Sequence, residues 1–128
     1  IQPTAVQVPL QELLTNNFEL ITKEVFGPFQ VVASYSDQEV DKLKEVLEKI
    51  TQNLTAAIVS NDTFFQQTIL ANTVNGTTYT GMKARTTGAP QNHWFGPSGD
   101  PRSAGIGTPE AIINTWSAHR EIIKDTGP

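Results

Sequence analysis

Apolar residues recur at helical spacing between residues 40 and 50, and charged residues occupy most of the other positions there. The apolar stripe consists of Val40, Leu43, Val46, Leu47 and Ile50. Just before it, Ser36 and Glu39 stand three residues apart, as in a capping box, where the serine caps the helix start and the glutamate reaches back. The pattern predicts an amphipathic helix that begins after Ser36.

Shorter segments precede this helix. Residues 3–8 are typical of a short strand, which Pro9 ends, and residues 10–15 are typical of a helical turn. Residues 18–21 alternate weakly between apolar and polar positions, and a second apolar run covers residues 29–33.

The middle of the chain alternates strand and helix signals. Residues 56–59 form a short apolar run between polar stretches, the pattern of a buried strand in a parallel sheet. Residues 60–62 offer caps for a helix that extends to about Leu70. Its predicted buried side comprises Phe64, Phe65, Thr68 and Ile69. With a further strand expected at residues 73–75, this order predicts βαβ units and an α/β fold.

The character of the sequence changes at residue 76. Gly and Pro become frequent through residue 107 and no periodicity persists, so we expect a long loop that is either functional or disordered. Residues 108–110, Thr-Pro-Glu, then predict a helix start with a cap, a proline at the first position and an early acid. Ile112, Ile113 and Trp116 give this helix an apolar side. Residues 117–123 predict a final strand.

Composition narrows the class of protein. The chain has 128 residues, 38% hydrophobic and 17% charged, as in an ordinary soluble globular protein. A net charge of −4 without a Lys/Arg cluster argues against a nucleic-acid partner, and no apolar run is long enough to cross a bilayer. The chain has no cysteine, and its two histidines, His93 and His119, lack a nearby second ligand. No metal site is therefore expected.

Residues 23–29, Lys-Glu-Val-Phe-Gly-Pro-Phe, place a carboxylate and an aromatic ring two residues apart before a Gly-Pro turn. In extended backbone, residues i and i+2 point the same way, so Glu24 and Phe26 can face one ligand together. A carboxylate can accept two hydrogen bonds from a vicinal diol, and a ring can press on a flat heterocycle. The ribose and nicotinamide of a dinucleotide offer both groups.

The same stretch resembles the Glu-x-Phe-Gly-Pro motif of the aldehyde dehydrogenase superfamily, in which the glutamate holds the nicotinamide ribose. Five further segments resemble that superfamily in the right order. Residues 2–6 resemble its Pro-Thr segment, and residues 54–59 resemble its Gly-Leu-x-Ala-Ala-Val-Phe strand. Residues 72–76 resemble its Gly-Thr-Val-x-x-Asn segment. Residues 88–96 resemble its anchor loop, and residues 102–107 resemble its Lys-x-Ser-Gly-x-Gly segment. Residues 85–97 are similar to the plant and protist type of delta-1-pyrroline-5-carboxylate dehydrogenase, also called glutamate semialdehyde dehydrogenase.

The resemblance covers the C-terminal part of such an enzyme and implies an α/β fold. We expect part of the aldehyde dehydrogenase catalytic domain, with βαβ units of a mostly parallel sheet, plus a C-terminal oligomerisation strand. Residues 1–116 would be the C-terminal part of the catalytic domain, with a long substrate-anchor loop at residues 76–107. Residues 117–128 would be the oligomerisation strand and tail.

The resemblance also implies site residues. Glu24 and Phe26 would bind the cofactor NAD, and Gly88, Ala89 and Phe95 would bind the substrate. In the resembled dehydrogenase, the backbone at the Gly88 and Ala89 positions grips the substrate α-carboxylate. The aromatic residue at the Phe95 position covers the substrate's carbon chain. Ala89 stands where a serine can occur in other members, so only its backbone can bind here.

No catalytic residue is expected in this chain. In the resembled mechanism a cysteine thiolate attacks the aldehyde, and the chain contains no cysteine, so the nucleophile is expected upstream and the chain alone should be inactive. The parent enzyme is expected to oxidise L-glutamate γ-semialdehyde, formed from delta-1-pyrroline-5-carboxylate, to L-glutamate in proline catabolism.

Two alternatives stay open: an aldehyde dehydrogenase for another substrate, and a non-catalytic assembly fragment. The expected partners are a small aldehyde and further copies of the protein, in a homodimer or higher oligomer, with neither nucleic acid nor membrane. Resemblance implies the mitochondrial matrix as the location. The choice between NAD and NADP is open, because Glu24 would lie at the nicotinamide ribose.

Overall fold

The computed structural model describes residues 1–51, 53–86 and 107–127. This part of the chain is α/β. Its strands are β1 Thr4–Gln7, β2 Phe29–Val32, β3 Thr55–Ile58 and β4 Thr77–Thr80. Its α-helices are α1 Phe18–Thr22, α2 Val40–Lys49, α3 Thr63–Leu70 and α4 Pro109–Trp116, and 3₁₀ helices cover Leu10–Leu14 and Asp37–Glu39.

Within the described residues the strands form two parallel pairs. β1 pairs with β2, with Thr4 opposite Phe29. β3 pairs with β4, with Thr55 opposite Thr77. In each pair a helical connection separates the two strands, which confirms the predicted βαβ units. The chain divides into two compact units: Ile1–Thr51 with Gln67–Thr73, and the rest of the described chain.

The core of the first unit joins the Leu10–Leu14 helix to α2. Its buried residues are Leu10, Leu13 and Val46. Leu14, Phe18, Ile21 and Ala33 pack against them. Val46 lies at the centre of the apolar stripe predicted for α2, and the other stripe residues are partly buried. The predicted amphipathic helix is therefore confirmed.

The predicted capping box is present at the start of this helical segment. Glu39 Oε2 accepts hydrogen bonds from the Ser36 backbone N–H at 3.1 Å and from the Ser36 hydroxyl at 3.0 Å. These bonds, with a third from Lys42, lower the pKa of the Glu39 carboxyl below its ordinary value. The first turn is a 3₁₀ helix and α2 follows it directly.

Two other helix starts also agree with the sequence. Asp62 Oδ1 accepts the backbone N–H groups of Phe64 at 2.8 Å and Phe65 at 3.2 Å, which caps α3. Thr108 Oγ1 accepts the Ala111 N–H at 3.1 Å, and Pro109 is the first residue of α4.

The weak alternation at residues 18–21 does not mark a strand. These residues form α1, in which the Ile21 N–H donates to the Asn17 carbonyl at 3.0 Å and the Thr22 hydroxyl donates to the Phe18 carbonyl at 2.8 Å. Phe18 and Ile21 are three residues apart, so a helix turns both of them toward the core of the first unit.

The strand expected at residues 73–75 is also wrong in position. β4 lies at Thr77–Thr80, inside the segment that we predicted as an irregular loop from residue 76. Its sequence, Thr-Thr-Tyr-Thr, consists of β-branched and aromatic residues, which favour a strand. Gly81 follows the last residue of the strand and has a φ of 107°. A side chain would be strained in this backbone conformation, so glycine suits this turn.

Two further expectations meet a different outcome. Phe64 is 88% exposed and not on the buried side of α3, because helical spacing aligns Phe65 with the buried Ile69 and turns Phe64 away.

Residues 117–127 form no strand within the described chain, so the oligomerisation strand is not confirmed. A strand is stabilised by a partner, and no described segment pairs with these residues.

We predict that Leu13→Ala lowers the free energy of unfolding of the 128-residue chain by about 2–5 kcal/mol, because it leaves a cavity in the core. Leu20→Ala is the matched control, since Leu20 is 76% exposed in α1 and its truncation should cost less than about 0.5 kcal/mol. Urea unfolding of the three proteins measures both values. Equal losses in the two variants would contradict the assigned core.

We predict that Ser36→Ala lowers the free energy of unfolding by about 0.5–2 kcal/mol, because the capping box at the 3₁₀ helix that leads into α2 is lost. Ser34→Ala, at an exposed serine just outside the capping box, is the control and should have little effect.

The capping box also predicts a pH dependence. The folded pKa of Glu39 lies below its ordinary value of 4.5, so this stabilisation is fully present above pH 4.5 and is lost as the pH falls through the folded pKa. The difference in unfolding free energy between the wild type and Glu39→Gln should be constant above that pH and shrink below it. A difference that grows on acidification would contradict this assignment.

Candidate functional site

Glu24 and Phe26 lie on the connection between α1 and β2. α1 ends at Thr22, and Lys23 leaves the helix with extended dihedral angles, φ −61° and ψ 123°. The chain then bends at residues 26–28 before β2 begins. Glu24 is exposed and Phe26 is 94% exposed, so a ligand can reach both side chains in this part of the protein.

The backbone of this connection differs from the expected extended segment. Residues 23–25 pair with no other strand in the described chain, and a bend replaces extended backbone from Phe26 onward. The alternation of a strand therefore does not set the directions of Glu24 and Phe26. Their common feature is exposure on one short connection.

The pairing of β1 with β2 brings two of the motif-bearing segments together. The Thr4 N–H donates to the Pro28 carbonyl at 2.8 Å, which places the Pro-Thr segment beside the Gly-Pro bend. A groove of about 420 Å³ lies here. Its lining residues are Pro3, Thr4, Ala5, Gly27, Pro28, Phe29 and Gln30.

The Glu24 carboxylate is available for a ligand. Within residues 1–51, 53–86 and 107–127 it has neither a hydrogen bond nor an ion pair. By contrast, Glu39 is engaged by Ser36, and Glu45 binds Lys49 at 2.8 Å. An exposed carboxylate can accept two hydrogen bonds from a vicinal diol, and its charge strengthens them.

These features fit one end of a dinucleotide. The groove has a volume within the range of small-molecule sites, about 300–1,000 Å³. An acceptor for ribose hydroxyls and an exposed aromatic ring lie on the connection that leads into it. Glu24 and Phe26 carry side-chain groups that could hold a ribose and a flat ring, and they lie next to the groove in sequence and not in its lining.

The predicted substrate residues Gly88, Ala89 and Phe95 lie outside the described residues. The described chain leads toward them from β4 through a defined turn. The Gly81 N–H donates to the Ile58 carbonyl at 3.1 Å, and the Ala84 N–H donates to the Gly81 carbonyl at 3.0 Å. These two bonds define the turn that follows β4.

Other kinds of site lack the necessary groups in the described ranges. No three His, Cys, Asp or Glu side chains there come together as metal ligands. No helix of those ranges is long and apolar enough to cross a membrane.

Sequence reasoning missed the groove as such. The sequence identified residues 2–6 and residues 23–29 as two separate motif segments. It also predicted a strand at residues 3–8, but it did not predict that this strand lies beside the second segment. The signal that could have joined them was the βαβ order itself, because parallel strands in one unit pair side by side. Thr4 and Pro28 would then have been predicted as neighbours.

No model of a known protein family matches the chain. Two curated plant proteins are similar to it along its whole length. A protein named "Probable aldehyde dehydrogenase" from Linum usitatissimum is 64% identical over 129 residues. "Delta-1-pyrroline-5-carboxylate dehydrogenase 12A1, mitochondrial" from Arabidopsis thaliana is 59% identical over 130 residues.

The chain spans 23% of the length of each of these relatives, and each comparison includes 100% of the chain. The identity therefore extends over the Glu24 connection, both strand pairs and α4, and does not rest on one short motif. Its level agrees with the ordered segments recognised in the sequence. Over its whole length, the chain is therefore similar to part of a protein named as an aldehyde dehydrogenase and to part of a protein named as a delta-1-pyrroline-5-carboxylate dehydrogenase.

Proposed function

We propose that the full-length protein oxidises L-glutamate γ-semialdehyde to L-glutamate with NAD as the hydride acceptor. The observation that carries this proposal is the 59% identity, along the whole chain, to a protein named delta-1-pyrroline-5-carboxylate dehydrogenase. The resemblance of residues 85–97 to the same type of dehydrogenase supports the same substrate.

This chain would form one wall of the active site. NAD, when bound, accepts the hydride from the substrate. Glu24 accepts hydrogen bonds from the hydroxyls of the nicotinamide ribose, and Phe26 contacts the nicotinamide end. Because Glu24 lies on a short connection between α1 and β2, the β1–β2 pair would hold its position relative to the groove.

The substrate wall would come from the segment after Gly81. There the backbone N–H groups of Gly88 and Ala89 bind the substrate α-carboxylate, and Phe95 covers the carbon chain. Because N–H donors bind an anion without carrying charge, the site selects a carboxylate by geometry. The cysteine nucleophile comes from a part of the protein beyond these 128 residues, since this chain contains none.

Assembly and location belong to the same proposal. Residues 117–123 become a strand when another subunit pairs with them, in a dimer or higher oligomer. Ile122 and Ile123, which are 73% and 85% exposed, would be covered in that interface. The word "mitochondrial" in the name of the Arabidopsis relative supports a location in the mitochondrial matrix.

Another aldehyde is the second candidate substrate. The observation that favours it is the 64% identity to the Linum protein, whose name specifies no aldehyde. A non-catalytic role in assembly is the third candidate, and the absence of cysteine from this chain favours it for the chain alone.

The test is NAD reduction by the full-length protein with glutamate semialdehyde or with a simple aliphatic aldehyde. We expect kcat/KM to be roughly a hundredfold higher for the semialdehyde, because two hydrogen bonds to its carboxylate are absent with the aliphatic substrate. Equal use of both aldehydes would retain the superfamily chemistry and reject this substrate. No reduction with either aldehyde would reject the enzyme assignment.

The same assay on Ala89→Pro isolates the proposed anchor, because proline removes one N–H donor. KM for the semialdehyde should rise roughly tenfold, the effect of one hydrogen bond to a charged group. KM for the aliphatic aldehyde should not change, which controls for folding. An unchanged KM for the semialdehyde in the folded variant would count against the anchor.

We predict that Glu24→Gln in the full-length protein lowers kcat/KM for NAD roughly tenfold, because a neutral amide accepts weaker hydrogen bonds than a carboxylate. KM for the aldehyde should change little. Glu19→Gln is the matched control, since Glu19 is an exposed residue of the neighbouring α1. NAD kinetics that are the same in wild type and Glu24→Gln would disprove this role.

A further inference from the structure

Asn75 and Gly76 form the one Asn-Gly step of the sequence, and they stand immediately before β4. Asparagine is a thermolabile residue, and glycine hinders its own backbone nitrogen least because it has no Cβ. The Gly76 nitrogen can attack the side-chain carbonyl carbon of Asn75, which forms a five-membered imide and expels ammonia. Water then opens the imide to aspartate or to isoaspartate.

In the folded chain, the backbone nitrogen of Gly76 already takes part in a hydrogen bond at the start of the β3–β4 pair. The Gly76 N–H donates to the Asn53 carbonyl at 3.1 Å, and the next N–H, of Thr77, donates to the Leu54 carbonyl at 3.3 Å. Asn53 is buried, with 4% of its surface exposed. These are the first hydrogen bonds of the β3–β4 pair, whose register aligns Thr55 with Thr77.

This arrangement opposes the reaction at the Gly76 nitrogen. The attack requires that nitrogen to lose its proton and to turn toward the Asn75 side chain. In the folded chain the N–H points at the Asn53 carbonyl, and the start of β4 holds the backbone on both sides. The reaction must therefore pass through states in which the beginning of the strand pair is open.

We propose that Asn75 is a deamidation site whose reaction is restrained by the first hydrogen bonds between β3 and β4. Isoaspartate would place one additional main-chain carbon directly before Gly76. That carbon would lengthen the connection that leads into β4, next to the first two hydrogen bonds of the strand pair.

The test uses the full-length protein at neutral pH, incubated once in its native state and once in denaturant. Mass spectrometric peptide mapping measures the rate at which aspartate and isoaspartate form at residue 75 in each condition. The native rate should be roughly four- to a hundredfold lower, since two hydrogen bonds each shift an opening equilibrium by about two- to tenfold. Hydrogen exchange of the Gly76 amide should be slowed by a similar factor.

Equal rates in the native and the denatured protein would overturn the proposal, as would the absence of product at residue 75 in denaturant. Gly76→Ala is the control for the chemistry, because its Cβ hinders the attack and should slow the reaction in denaturant. An unchanged denatured rate in that variant would also overturn the proposal. None of these readouts depends on dehydrogenase activity.

Discussion

Parallel pairing of β1 with β2 requires the chain to leave β1, cross over and return in the same direction. The Leu10–Leu14 helix and α1 make this crossover, and their apolar residues pack with Val46 of α2. The core of the first unit and the position of the Glu24 connection therefore depend on the same return of the chain. The pairing of these strands, with the bond from the Thr4 N–H to the Pro28 carbonyl, brings the two segments that line the groove together.

The β1–β2 sheet contains several apolar residues, yet these residues are exposed to solvent. All eight of its residues are exposed, among them Val6, Phe29, Val31 and Val32. Parallel sheets are usually buried on both faces, and two strands alone are only marginally stable in water. The chain spans 23% of the length of its relatives, and exposed apolar strands of this kind are compatible with part of a larger sheet.

The sequence predicts Glu24 and Phe26 as candidate site residues, and the structure gives their connection a backbone different from the one expected. The Glu24 motif was visible because a carboxylate and a ring two residues apart suit a ribose and a flat heterocycle. Its backbone was expected to be extended, whereas it bends at residues 26–28. Gly27 and Pro28 set that bend locally. The neighbour of Pro28 across the groove is Thr4, which is 24 residues earlier in the sequence, a separation typical of a crossover connection.

Local signals in the sequence determined the starts of α2, α3 and α4, because a cap interacts with backbone N–H groups within a few residues of itself. The sequence likewise determined the stripe of α2 and, through its ordered motifs, the resemblance to the aldehyde dehydrogenase superfamily. Tertiary structure decided that residues 18–22 form a helix, because their apolar residues pack on a core that α2 helps to form. It also decided that β4 begins at Thr77, because strand register depends on a distant partner, here the carbonyl groups of residues 53 and 54.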